Sequence, residues 1–308
     1  MNKNIACVTE RNCDGTPIDP RLKACDVTGN SIGGLLLIRK FALAATVAIS
    51  ATPVAAQDCG PDAPCEIDGG EYHLRLPVGE GPHPVLIWFH GHRGNGASIH
   101  RGGGLERDFL AKGYAILAPN GFRNAGGTRS YPARTGSPRD DVAFAFASLN
   151  AATSKGNLDM DQVYAGGFSA GGSMAWLLAC EAGDKLSGMV SVAGALRRPN
   201  ATDCSGLAGL PVMQIHGFGD GQVPFEGRGI RDWHQGSVWD ILDRAREANG
   251  CRSNPDDIEI GETFRSRIWD ESCSGAPVRL DVHDGGHGLP QGWTARARAF
   301  FEAADTSG

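Results

Sequence analysis

Hydrophobic and polar positions change period in blocks along this chain. Residues 71–77, Glu-Tyr-His-Leu-Arg-Leu-Pro, alternate, and the alternation predicts an antiparallel edge strand. Val85-Leu86-Ile87-Trp88-Phe89 is apolar without a break, as in a strand covered on both faces, and ends in the glycine-rich run His90-Gly91-His92-Arg93-Gly94-Asn95-Gly96. A helix is predicted over Leu105 to Lys112, closed by Gly113. A second buried strand follows at Tyr114 to Ala118, stopped by Pro119-Asn120-Gly121. Residues 121–138, rich in Gly, Arg, Ser and Pro, read as a long loop. Asp140-Asp141 then opens a helix over Val142 to Ala152, where acidic groups suit the helix N-terminus.

The same alternation continues to the end. An apolar run enters Val163-Tyr164-Ala165-Gly166-Gly167-Phe168, and an amphipathic run, Ser173 to Cys180, leaves it. Buried strands are predicted at Gly188 to Ala193 and Pro211 to Ile215, a last strand at Pro277 to Val282, and helices at Ser237 to Ala248 and Thr294 to Ala304. Strands alternating with helices predict an α/β fold, a mostly parallel central sheet with helices on both faces.

Between the fourth and fifth strands of that series sits Gly167-Phe168-Ser169-Ala170-Gly171. It reads G-x-S-x-G in a strand-turn-helix setting, the nucleophile elbow of the α/β-hydrolase fold. A serine on so sharp a turn adopts strained φ/ψ, and the flanking glycines remove Cβ clashes between strand and helix. A serine hydroxyl also needs a base to take its proton, and in this fold an acid and then a histidine follow the serine, each on a loop just past a strand. Asp220 lies past the strand ending at Ile215, and His287 past the strand ending at Val282. Rivals are weaker. His283 ends its strand, Asp281 lies within one, and Asp284 is too near His287 in sequence; Asp232 also competes with Asp220. The oxyanion hole is expected from the Ala170 N–H and the His92 N–H, with Arg93 as the second choice for the latter. Candidate substrate contacts are Tyr131, Phe218 and Trp293, with Phe225, Trp233 and Leu289 behind them.

Composition narrows the rest. The 308 residues, 41% hydrophobic and 21% charged, allow one large domain with a sizeable core, and the net charge of −6 with no basic block argues against nucleic acid. Neither a phosphate-loop motif nor H-E-x-x-H is present, so neither a nucleotide cofactor nor a metal is expected. Arg39-Lys40, an apolar run from Phe41 and small residues at Val54 and Ala56 predict a signal peptide over 38–56, too short to remain as a membrane span. Residues 1–37 then read as a non-structural extension, with translation starting near 35 to 38, and 57–308 as a single catalytic domain, secreted or periplasmic and monomeric. That domain holds Cys59, Cys65, Cys180, Cys204, Cys251 and Cys273. An even number in an exported chain predicts disulfides, and of fifteen connectivities the near-neighbour pairs 59–65, 180–204 and 251–273 are favoured.

From about Glu71 to Phe301 the chain resembles the secreted polyhydroxybutyrate depolymerase-like and feruloyl esterase-like α/β-hydrolases. The resemblance rests on His90-Gly91, Arg139-Asp140-Asp141-Val142-Ala143-Phe144, Gly167 to Gly172, His216-Gly217 with Asp220 and Val223-Pro224, and Gly285-Gly286-His287. It implies ester hydrolysis without a cofactor, with nucleophile, acid and base at Ser169, Asp220 and His287. The 21 residues after His287 suffice for a closing helix and no appended binding domain, so soluble esters or oligoesters are expected in preference to an insoluble polymer. Two departures leave the acyl group undetermined. Leu289 stands where relatives often carry tryptophan, and Tyr131 alone represents a usually aromatic segment. A serine peptidase of the same fold and a non-catalytic binding protein are the alternative readings.

Overall fold

The computed structural model describes residues 59–60 and 63–306. The extension over 1–37 and the signal peptide over 38–56 lie outside the described residues. Ten strands form one sheet: β1 (Cys65–Ile67), β2 (Gly70–Arg75), β3 (His83–Phe89), β4 (Ala115–Pro119), β5 (Leu158–Phe168), β6 (Gly188–Val192), β7 (Val212–Gly217), β8 (Asp257–Ile260), β9 (Arg265–Trp269) and β10 (Val278–His283). Their spatial order is β1-β2-β4-β3-β5-β6-β7-β10-β9-β8. The run from β4 to β10 is parallel, and the antiparallel pairs β1-β2 and β9-β8 flank it. Four principal helices are α1 (Asp141–Ala152), α2 (Ala170–Ala182), α3 (Val238–Ala248) and α4 (Trp293–Asp305).

The continuous apolar strands are explained by cover on both sides. Along β3, Val85, Ile87 and Phe89 join one core with α1, α2 and α3. Leu86 and Trp88 point the other way, into a core with Trp293, Ala297 and Phe301 of α4. Each large apolar side chain buried this way contributes about 1.5–3 kcal/mol. Helix starts follow local chemistry: Asp140 accepts the Ala143 N–H at 2.9 Å and Ser237 accepts the Asp240 N–H at 3.2 Å. Disulfides join Cys59–Cys65, Cys180–Cys204 and Cys251–Cys273. Among the described residues, no helix is long and apolar enough to cross a membrane.

Three elements differ from the sequence pattern. The strand over 71–77 is not an edge, because β1, tethered by Cys59–Cys65, pairs outside it. The helix over Leu105 to Lys112 breaks in two at Phe109, which leaves helical geometry (φ −120, ψ −64) and is fully buried against Tyr114 and Phe301. The hairpin β8-β9 is invisible to periodicity because β8 is exposed throughout and β9 mixes arginines with Ser266, Ile268 and Trp269.

Candidate active site

Ser169 sits between β5 and α2 with φ 57 and ψ −116, a conformation an L-residue holds only when its surroundings force it. The two motif glycines make that possible. A Cβ on Gly167 would stand 2.9 Å from the Gly172 nitrogen and closer still to the Gly171 carbonyl. One on Gly171 would stand 2.7 Å from the His90 carbonyl oxygen and closer still to that of Phe89. Helix α2 therefore starts against the end of β3. The Ser169 N–H donates to the Val192 carbonyl at the end of β6 (2.9 Å), which fixes the turn from the other side.

The loops after β7 and β10 meet this turn. His287 Nε2 lies 2.8 Å from Ser169 Oγ, and His287 Nδ1 lies 2.8 Å from Asp220 Oδ2. Asp220 Oδ1 accepts the backbone N–H groups of Gln222 (2.9 Å) and Val223 (2.8 Å). Burial pushes the Asp220 carboxyl up, but the His287 hydrogen bond and those two N–H groups outweigh it, and its pKa is lowered overall. Asp220 therefore stays ionised, holding the imidazole with Nδ1 protonated and Nε2 free to accept from the serine hydroxyl. The loops are stitched together by Phe218 N–H to His283 carbonyl (2.8 Å) and Gly219 N–H to Gly285 carbonyl (3.0 Å).

Beneath the acid lies a buried polar chain that sequence reasoning missed. Trp176 Nε1 donates to Gln214 Oε1 (2.8 Å), Gln214 Nε2 donates to His216 Nδ1 (2.8 Å), and His216 Nε2 donates to the Val223 carbonyl (2.7 Å). The last bond makes His216 the Nε2-protonated neutral tautomer, and burial holds its pKa below the usual value. The sequence marked His216 only as part of the His216-Gly217 motif, and its period-two spacing from Gln214 on β7 was the one sign of the chain itself. The rival acids and histidine are engaged elsewhere: Asp281 with Arg279 (2.8 Å) and Arg296, and Asp284 with Arg265 (2.7 Å), while His283 Nδ1 accepts the Gly285 N–H (3.1 Å). Asp232 is exposed.

On the other side of Ser169 stands the loop after β3. His90 is buried; its Nδ1 donates to the Gly91 carbonyl (2.7 Å), and its Nε2 accepts the Gly121 N–H (3.0 Å). Burial lowers its pKa to about 4, so it is a neutral bridge between the loops after β3 and β4. Of the expected oxyanion donors, neither the Ala170 nor the His92 N–H has a hydrogen-bond acceptor among the described residues, whereas the Arg93 N–H is spent on the Arg129 carbonyl (2.9 Å). Among the described residues, no group of three or more His, Cys, Asp or Glu could hold a metal.

The α/β-hydrolase family model described as phospholipase/carboxylesterase matches residues 146–231. Feruloyl esterase C of Emericella nidulans is 32% identical over 242 residues, covering 74% of this chain and 80% of that protein. The chain belongs to the feruloyl esterase-like α/β-hydrolases. It is a carboxylic ester hydrolase. A Nocardia uniformis subsp. tsuyamanensis protein named for an esterase, NocK, is 37% identical over 155 residues, covering 49% of this chain and 43% of that one. Among solved structures, the acetyl xylan esterase from Aspergillus awamori superposes with a TM-score of 0.57 at 13% identity, over 75% of this chain and 93% of that one, a likeness of fold.

The other side chains expected to touch substrate divide. In this hydrolase Tyr131 is buried, its hydroxyl donating to the Pro119 carbonyl and its ring packed on Phe89 and His90 at 5.3 and 4.9 Å. It braces the His90 loop and is no pocket wall. Trp293 is likewise buried, stacked on Trp88 at 4.8 Å across the sheet from α2. Both were drawn inward because an aromatic ring beside an apolar strand gains more from burial than from lining a wet cleft. Phe225 is buried between His216 and Trp239. Phe218 and Leu289, on the acid and base loops, are exposed, and Phe168 packs against the His287 ring at 5.1 Å.

Proposed function

We propose that the protein is an exported serine esterase that hydrolyses soluble esters or oligoesters through an acyl-enzyme, with Ser169 as nucleophile, His287 as base and Asp220 as orienting acid. The observation that carries this reading is the unbroken relay from Asp220 Oδ2 through both His287 nitrogens to Ser169 Oγ, each contact 2.8 Å. Ser169 and His287 are both half-buried, so the relay ends where a substrate can arrive.

As Ser169 Oγ attacks the ester carbonyl, His287 Nε2 takes its proton, and the ionised Asp220 stabilises the resulting imidazolium. The carbonyl oxygen becomes an oxyanion received by the free N–H groups of Ala170 and His92; one such donor is typically worth about 10²–10³ in turnover. His287 hands its proton to the departing alkoxide, then deprotonates the water that attacks the acyl-enzyme. Water adds its OH to the acyl carbon, Ser169 recovers its proton, and the carboxylic acid leaves. Phe218, Leu289 and Phe168 supply apolar contact for the substrate.

Three disulfides, together with the apolar run before Gln57 and its small residues, support export of a mature domain over 57–308. Relatives named for feruloyl and acetyl xylan esters support small carboxylic esters as substrates. Ser169→Ala is expected to lower nitrophenyl-ester turnover by about 10⁶-fold with the circular dichroism spectrum unchanged. A variant that retains a tenth of the activity would refute the assignment.

A further inference from the structure

Three arginines beside the oxyanion loop have no carboxylate partner among the described residues: Arg93, Arg134 and Arg197. Their neighbours do, with Arg129 on Glu71 at 2.7 Å, Arg139 on Asp141 and Arg198 on Asp240. Arg197 lies on the loop after β6, the strand whose last carbonyl accepts the Ser169 N–H. Its Nη1 donates to the carbonyls of Tyr131 (2.7 Å) and Pro132 (3.2 Å), and its Nε to Gln235 Oε1 (3.3 Å). The guanidinium lies over the Trp233 ring at 4.9 Å, and Gln235 Nε2 donates onward to Ser173 Oγ on α2 at 3.3 Å. Every acceptor is neutral. Among the described residues Nη2 makes no hydrogen bond, and Arg197 keeps part of its surface in solvent.

Arg134 stands next to it. The Thr135 N–H donates to the Pro199 carbonyl at 2.9 Å, which holds the 131–137 segment against the Arg197 loop, and the Arg134 guanidinium has no hydrogen-bond acceptor among the described residues. Burial first, and then the Arg134 charge, pull the Arg197 pKa down to about 10. Burial, followed by the charges of Arg93 and Arg197, likewise holds His92 below its usual value, so this positive field reaches the expected oxyanion loop. A largely buried cation without an anion is costly to the folded state. A ligand carboxylate would relieve that cost, and the guanidinium edge suits its two oxygens.

We propose that Arg197, with Arg134 beside it, forms an anion subsite next to the acyl-transfer centre, and that the hydrolase favours esters carrying a free carboxylate elsewhere in the molecule. The inference rests on the esterase reading of Ser169. Four substrates separate the two: monoethyl adipate against diethyl adipate places the carboxylate in the acid half, and butyryl-glycolate against its methyl ester places it in the alcohol half. For one pair, kcat/KM is expected to favour the carboxylate, with an advantage that shrinks between 20 and 500 mM salt as screening rises. Arg197→Gln and Arg134→Gln should each cut that advantage roughly tenfold, mainly through KM. Hydrolysis of the neutral esters with no carboxylate preference in either pair overturns the subsite and leaves the esterase intact. Failure to hydrolyse any of the four esters indicts the esterase reading itself. Calorimetric binding of adipate decides the subsite without turnover: about tenfold weaker binding in Arg134→Gln supports it, and unchanged binding in both variants overturns it.

Discussion

Replacing Gly171 with alanine tests whether backbone placement at the elbow, and not the serine alone, makes the site. The new methyl would lie 2.7 Å from the His90 carbonyl oxygen and closer to that of Phe89, where ordinary contact begins near 3.4 Å. Both obstacles are backbone, so no side chain can swing aside, and α2 and the loop after β3 must part by at least 0.7 Å, the gap between those distances. That movement separates the Ala170 N–H from the His92 N–H, the two expected oxyanion donors. A misplacement of about 1 Å at a reacting centre costs roughly 10²-fold, so kcat on a nitrophenyl ester should fall about 10²-fold, equivalent to about 2.7 kcal/mol. Forcing an extra methyl between packed backbones should also cost about 1–3 kcal/mol of stability. The control is Gly229→Ala, where a Cβ meets nothing within 4 Å. Stopped-flow or plate kinetics with thermal melts of both variants provide the comparison. Gly171→Ala with kcat within threefold of the parent would show that these N–H groups do not form the oxyanion hole.

Other outcomes follow from the same geometry. Asp220→Asn leaves an oxygen to accept from Gln222 and Val223 but cannot hold His287 in the right tautomer; kcat should drop about 10⁴-fold, and a loss under tenfold would count against the relay. His90 has its folded pKa lowered from 6.5 to about 4, so the unfolded chain binds the proton more readily; stability should be full above about pH 6.5 and decline as pH falls toward 4, by on the order of 3 kcal/mol. Urea midpoints at pH 7.5 and 4.5 measure this, and a His90→Asn variant that keeps the whole slope would disprove the attribution. The Cys180–Cys204 bond closes a loop of sequence separation 24 between α2 and the segment before β7, so the double alanine variant should lose about 3 kcal/mol, read as a lower melting temperature.

The sequence by itself determined the parallel core and the order of the chemistry. Unbroken apolar runs such as 85–89 can be satisfied only by cover on both faces, and G-x-S-x-G, Asp220 and His287 each follow such a run, so all three had to leave the same sheet edge. Only tertiary structure decided what those side chains touch. Periodicity reports which residues prefer burial; it does not report that Tyr131 is taken up bracing His90, that Phe109 breaks a helix to reach its core, or that Asp284 is engaged by Arg265. The buried line Trp176–Gln214–His216 and the Arg197 guanidinium, held by neutral acceptors with no carboxylate partner among the described residues, were equally hidden. Local pattern follows from the chain's own covalent spacing. Hydrogen-bond partners 38 to 118 residues apart, from Trp176–Gln214 to Ser169–His287, are set by which loops the folded sheet brings together.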